Sequence, residues 1–265
     1  MRTQFRAGSD RRLIGHAAYA GRRPTLLGVW AHPDDEAYLS AGLMAQFVRR
    51  GGRVVVVTAT RGEAGTADPG AWPPARLAAR RERELRASLA AVGVDELHLL
   101  GHPDGGCHLV DGADRIADLV DQVQPDLIVT FAPDGLTGHS DHRAVSRWTT
   151  SARDAVRPEA DLWYATVTPE FHDEWGPVNE AANFFYPDQP DTPRTPVADL
   201  VHHAALGDEL LDLKFAALAA HATQTAALID RVGSSPYREW WRYESFRRAG
   251  ASRHLHIAEL PALAA

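Results

Sequence analysis

Between residues 25 and 167 the chain alternates short apolar runs, rich in β-branched residues, with longer stretches whose apolar residues recur at helical spacing. No other feature restricts the fold as much. The apolar runs are 25–31, 53–59, 96–100, 126–131 and 162–167, and the helical patterns between them are 35–50, 75–92, 113–123 and 141–155. Near-continuous apolarity suits strands covered on both faces, which is the environment of a parallel sheet. Strand–helix alternation then implies right-handed crossovers with helices on both sides. The expectation is an α/β, Rossmann-like, doubly wound fold with a mostly parallel sheet.

Past residue 167 the pattern changes. Residues 168–206 are dense in Pro, Asp and His and read as irregular structure with a short strand, in the place of a lid. Residues 207–224 read as one helix, with Leu210, Leu213, Ala217 and Leu218 on its apolar stripe. Four aromatics then cluster, Tyr237, Trp240, Trp241 and Tyr243, and the tryptophan pair reads as core packing or an oligomer contact. No linker divides the chain, so 1–265 is expected to be a single domain preceded by a flexible arm at 1–22.

Composition narrows the function classes. A net charge of −7 gives no electrostatic footprint for a nucleic-acid backbone. No apolar run approaches the ~18 residues of a membrane span, and the arginine-bearing start lacks the apolar core of a signal peptide. The single cysteine, Cys107, rules out an internal disulfide and a cysteine-based metal site, and it fits a reducing, cytoplasmic setting.

Two polar clusters carry the chemistry. Ala31-His32-Pro33-Asp34-Asp35-Glu36 closes the first apolar run, and Gly138-His139-Ser140-Asp141-His142 follows the fourth through a short loop. In open α/β sheets ligands bind beyond the carboxyl ends of the strands, where the strand order reverses. With the order 3-2-1-4-5, both clusters converge on one crevice. Two imidazoles and a carboxylate form a familiar catalytic zinc set with a fourth position open to water. His32 and Asp35 share a three-residue spacing, as do His139 and His142. Histidines favour zinc or a similar transition metal, Fe²⁺ included, over magnesium. An unligated carboxylate must also take a proton from water, and Asp34 and Glu36 are the candidates.

These residues make the chain resemble the LmbE-like (PIG-L) family of zinc N-deacetylases. The likeness runs from Thr25 to Phe246 and rests on the two clusters together with Thr60-Arg61-Gly62-Glu63-Ala64-Gly65, residues 81–94 and Asp104-Gly105. It continues in Lys214 with His221-Ala222-Thr223-Gln224, and in Glu244-Ser245-Phe246. The resemblance implies that His32, Asp35 and His142 hold zinc and that Asp34 is the general base. It implies that His139 stabilises the tetrahedral intermediate and that Asp141 orients an imidazole. Arg81 and Asp104 match positions that hold sugar hydroxyls, and His221 one that lines the pocket. The implied substrate is a small N-acylated amine, an amino sugar such as an N-acetylglucosaminide. Ser140, Ala41 and Thr223 depart from the usual Pro, Gly and Ser of the family, and none of these changes removes a ligand or a base. Two other readings compete: an amidase of the same family acting on a thiol conjugate or a natural-product intermediate, and a non-catalytic Rossmann-like binding module. The latter would carry G-x-G-x-x-G where this chain has an acidic turn.

Overall fold

The computed structural model describes residues 23–182 and 193–250. The expected N-terminal arm at 1–22 lies outside them, as do residues 183–192 within the expected lid. Five parallel strands form the centre: β1 (Thr25–Trp30), β2 (Arg53–Thr58), β3 (Glu96–Leu99), β4 (Leu127–Phe131) and β5 (Asp161–Ala165). They alternate with α1 (Asp35–Arg49), α2 (Pro74–Ala91), α3 (Ala113–Val123) and α4 (Ser140–Val156). Each matches the predicted element to within a residue or two.

The strand order is β3-β2-β1-β4-β5, extended by two antiparallel strands, β7 (Tyr243–Arg248) and then β6 (His202–Ala205). β1 is buried along its whole length between β2 and β4, which explains its unbroken apolar sequence. Helices α1 and α3 leave β1 and β3, and α3 turns Ile116, Leu119, Val120 and Val123 inward. Because β1 and β4 are neighbours, the turns after Trp30 and Phe131 emerge side by side, and those two rings meet edge to face at 5.1 Å.

The C-terminal third departs from the sequence reading. Residues expected to be irregular include α5 (Pro169–Ala182), a helix with Pro177 inside it. The single helix expected at 207–224 is two, α6 (Asp208–Ala220) and α7 (Ala222–Val232), broken at His221 with φ −80° and ψ 47°. A last helix, α8 (Ser234–Trp240), buries Tyr237 and Trp240 and leads into β7. One buried ion pair ties this region to the centre. Lys214 Nζ of α6 meets Glu244 Oε1 of β7 at 2.9 Å, and both side chains are fully buried. The same carboxylate accepts the backbone N–H groups of Gly42 and Leu43 in α1, each at 2.8 Å. Among the described residues no helix is long and apolar enough to cross a membrane.

Candidate active site

At the carboxyl end of β1 the chain turns sharply into α1. Asp35 Oδ2 accepts the His32 backbone N–H at 2.7 Å, so the aspartate both closes the turn and lies next to the imidazole. Asp34 adopts φ 121° and ψ −30°, a conformation that costs an L-residue about 1–3 kcal/mol. The turn is held by what surrounds it. Asp34 N–H donates to Glu36 Oε2 at 2.9 Å, and the guanidinium of Arg81 donates to the Pro33 carbonyl and, at 2.9 Å, to Asp34 Oδ2.

From the neighbouring strand, the loop after β4 delivers His139 and His142. His142 sits in the first turn of α4, stacked on Phe131 with ring centroids 4.0 Å apart. Its Nδ1 faces the Gly135 carbonyl at 3.0 Å and Thr137 Oγ1 at 3.2 Å, which turns Nε2 towards His32. Gly135 lies at φ +80°, and a Cβ there would meet Arg143 Cγ at 2.9 Å, so this turn requires glycine. His139 is the N-cap of α4, and its Nδ1 accepts the Asp141 N–H at 3.1 Å, which leaves the proton of the neutral ring on Nε2.

Four atoms of three residues converge. His32 Nδ1 and His142 Nε2 are 3.2 Å apart, Asp35 Oδ1 is 3.4 Å from His142 Nε2, and Asp35 Oδ2 is 3.6 Å from His32 Nδ1. A tetrahedral ion with zinc-like bond lengths sets its ligand atoms about 3.3 Å from one another. The distances here are near that spacing, with a different Asp35 oxygen facing each imidazole. The rest of the constellation matches the outer shell of such a site. His32 Nε2 faces Asp104 Oδ1 at 3.1 Å and Asp141 Oδ2 at 3.3 Å, while Asp141 is itself fixed by the N–H groups of Gly105 and Cys107. Nitrogens of His32, His139 and His142 lie within 4.8 Å of one another, and so do ligand atoms of His32, Asp104 and Asp141. The latter group places two carboxylates at the outer nitrogen of His32.

Burial disfavours a charged His32, but Asp104, Asp141 and Asp35 outweigh it and raise its pKa to about 10. Burial and the adjoining carboxylates of Asp34 and Glu36 lift Asp35 to about 7, against the pull of His32. Burial, with the charges of His32 and His139, pushes His142 well below its usual value and keeps its lone pair available. Asp34 is also raised, chiefly by burial, with Arg81 opposing. That suits a carboxylate that must accept a proton and later return it.

The two base candidates differ sharply in surroundings. The Asp34 side chain is 17% exposed at the rim. Glu36 is fully buried, its Oε1 taken by Ser88 Oγ and His221 Nε2, each at 2.8 Å, and its Oε2 by the Asp34 N–H. Glu36 cannot reach a substrate.

Of the three residues expected to contact substrate, His221 and Arg81 are buried and Asp104 is partly buried. His221 is fully buried on Glu36 and lines no open space. Arg81, 3% exposed, spends its guanidinium on the Pro33 and Gly62 carbonyls and on Asp34. Gly62, at φ +65°, leaves the room this guanidinium needs. Asp104 Oδ2 accepts the Ala64 N–H at 2.9 Å and Oδ1 faces His32, so it braces the imidazole. Beside Asp104 opens a cavity of about 360 Å³, lined by Arg61, Glu63, Pro74, Ala75, Ala78, Gly101 and His102. Glu63 joins it to the site by accepting the Asp104 N–H at 3.0 Å. The sequence carried no signal for Ser88 or for the carbonyl of Gly135, whose roles depend on contacts across the fold.

A model of the family described as PIG-L, GlcNAc-PI de-N-acetylase, matches residues 27–153, the stretch that supplies both clusters. A 1D-myo-inositol 2-acetamido-2-deoxy-α-D-glucopyranoside deacetylase of Mycobacterium sp. (strain KMS) is 33% identical over 238 residues, covering 76% of this chain and 74% of that one. The N,N'-diacetylchitobiose deacetylase of Pyrococcus horikoshii shares the fold with a TM-score of 0.60 at 17% identity, over 85% of this chain and 83% of its own. A 4-carboxy-2-hydroxymuconate hydratase of Pseudomonas putida KT2440 does so at 0.57 and 16% identity, over 89% and 100%. The fold thus serves more than one chemistry. On its sequence kinship and its two clusters, this chain belongs to the PIG-L (LmbE-like) family of N-deacetylases.

Proposed function

We propose that this protein is a zinc-dependent hydrolase that removes the N-acetyl group from an amino-sugar substrate of the N-acetylglucosaminide type. The carrying observation is the convergence of His32 Nδ1, His142 Nε2 and Asp35 at ligand spacing beside the strained Asp34. Zinc held by these three residues would supply Lewis acidity to the acyl carbonyl and to the attacking water.

The chain's own groups do the rest. Asp34 takes the proton of the attacking water and, once protonated, hands it to the departing amine, so one carboxylate serves as base and then acid. His139, whose pKa is lowered chiefly by burial, presents its Nε2–H to the oxygen of the tetrahedral intermediate. Asp104 and Asp141 hold the His32 ring in the tautomer that directs Nδ1 inward, and the Gly135 carbonyl does the same for His142. The cavity near Asp104 is lined by Arg61, Glu63 and His102 together with Pro74, Ala75 and Ala78, a mix of polar and apolar residues that suits a second sugar-like ring. The relative from Mycobacterium is named for a two-ring substrate of that kind.

Amine release from a panel of free N-acetylglucosamine, an N-acetylglucosaminyl inositol and N,N'-diacetylchitobiose tests this reading. The two-ring compounds are expected to turn over faster than the free sugar. Cleavage of a non-sugar acyl amine with no release from any member of the panel would overturn the substrate class.

A further inference from the structure

Beneath the active-site turn lies a polar network that neither binds substrate nor ligates the metal, although every member of it is buried. Glu36 Oε2 holds the Asp34 backbone N–H at 2.9 Å, and the other oxygen of Glu36 receives Ser88 Oγ of α2 and His221 Nε2 of the α6–α7 break. Glu36 and His221 are fully buried, and Ser88 is 1% exposed. His221 Nδ1 is buried with no hydrogen-bond partner among the described residues. An orphaned polar atom in a fully buried ring is a cost, and the aspartate it serves has a backbone geometry that local sequence alone would not choose.

We propose that His221 is a positioning residue for Asp34, acting through Glu36. The imidazole fixes the Glu36 carboxylate, the carboxylate fixes the Asp34 N–H, and the Pro33–Asp34 peptide is thereby kept in the orientation that points the Asp34 side chain at Arg81 and the site rim. The break between α6 and α7 gains a purpose on this account, because an unbroken helix would not present the ring at that point. The His221 backbone is locked in turn, its carbonyl accepting the Thr225 N–H and Oγ1 and the Gln224 N–H. Arg81 grips the same turn from its other side, so the strained residue is clamped between α2 and the α6–α7 junction.

The inference rests on Asp34 being the general base, and its test separates the two claims. In zinc-loaded His221→Leu, kcat is expected to fall on the order of a hundredfold while KM and zinc content stay unchanged, the signature of a misplaced catalytic group. His221→Gln, whose side-chain amide can donate to the same carboxylate oxygen, should recover most of that loss. Amide hydrogen exchange read at Asp34 should quicken in His221→Leu and return towards wild type in His221→Gln. Wild-type kcat in His221→Leu, equal loss in both variants, or zinc lost in step with activity would each overturn the proposal. If His221→Leu does not fold, Ser88→Ala takes its place: faster exchange at Asp34 with a smaller drop in kcat supports the network, and unchanged exchange refutes it. Asp34→Asn is assayed alongside. An active Asp34→Asn removes the general-base reading itself, whereas an inactive one beside a fully active His221→Leu removes only the positioning role.

Discussion

Lys214 is the protein's only lysine and one of its most deeply buried charges, and replacing it with methionine isolates what the ion pair contributes. Methionine keeps much of the side-chain length and volume, so the cavity term is small. What remains is the Glu244 carboxylate, fully buried and stripped of the cation that met it at 2.9 Å. Breaking a buried pair in this way costs about 3–5 kcal/mol. The carboxylate still accepts the N–H groups of Gly42 and Leu43, which places the expected loss at the lower end, about 3 kcal/mol. For a chain of this size each kcal/mol moves the midpoint by about 2–4 °C, so thermal unfolding should shift down by about 6–12 °C. Adding Glu244→Gln to Lys214→Met removes the stranded charge while keeping an acceptor for the α1 amides, and should restore more than half of the lost stability. Calorimetry on the single and double variants decides the matter. A single variant losing under about 1 kcal/mol would refute the reasoning, as would a double variant no more stable than the single.

Asp34→Asn should lower the turnover number by about 10²–10⁴ with zinc content intact, measured by amine release and metal analysis on the same sample. Zinc binding should release protons and tighten as pH rises, because the His32 proton, with a pKa near 10, must leave Nδ1; calorimetry in buffers of different ionisation enthalpy reads the release. The folded metal-free protein keeps that proton while the unfolded chain loses it above 6.5, so its thermal midpoint should decline between pH 7 and pH 10. Bound zinc should abolish that decline. Gly62→Ala places a methyl group against the Arg81 guanidinium at φ +65° and should cut kcat while sparing zinc affinity; unaltered kcat would show that Arg81 does not hold the Asp34 turn.

The parallel half of the fold was legible because β1, β2, β4 and β5 are buried almost throughout and the helices on one face, while the half-buried edge strand β3 was marked only by its short apolar run. The antiparallel strands were not, because β7 buries Glu244 and Ser245 as well as Phe246, and polar residues at core positions erase the alternation. The helix break at His221 was hidden for a related reason: apolar spacing runs on across it, and the residue's contacts come from Glu36, 185 positions away. Arg81 lies in a run of charges that reads as a solvated face, yet Arg81 and Glu84 of that run are buried, and Arg81 closes the active-site turn. The two metal-site clusters stood out because ligand chemistry tolerates few residue types. The residues that orient them are ordinary carbonyls, amides and a serine, whose roles exist only in three dimensions.

The most direct test is a titration of zinc into purified metal-free protein while amine release from an N-acetylglucosaminide is recorded. The account predicts activity that rises in proportion to added metal, levels off at about one zinc per chain and vanishes on addition of a chelator. Release that persists without metal, or no release at full occupancy, would contradict it.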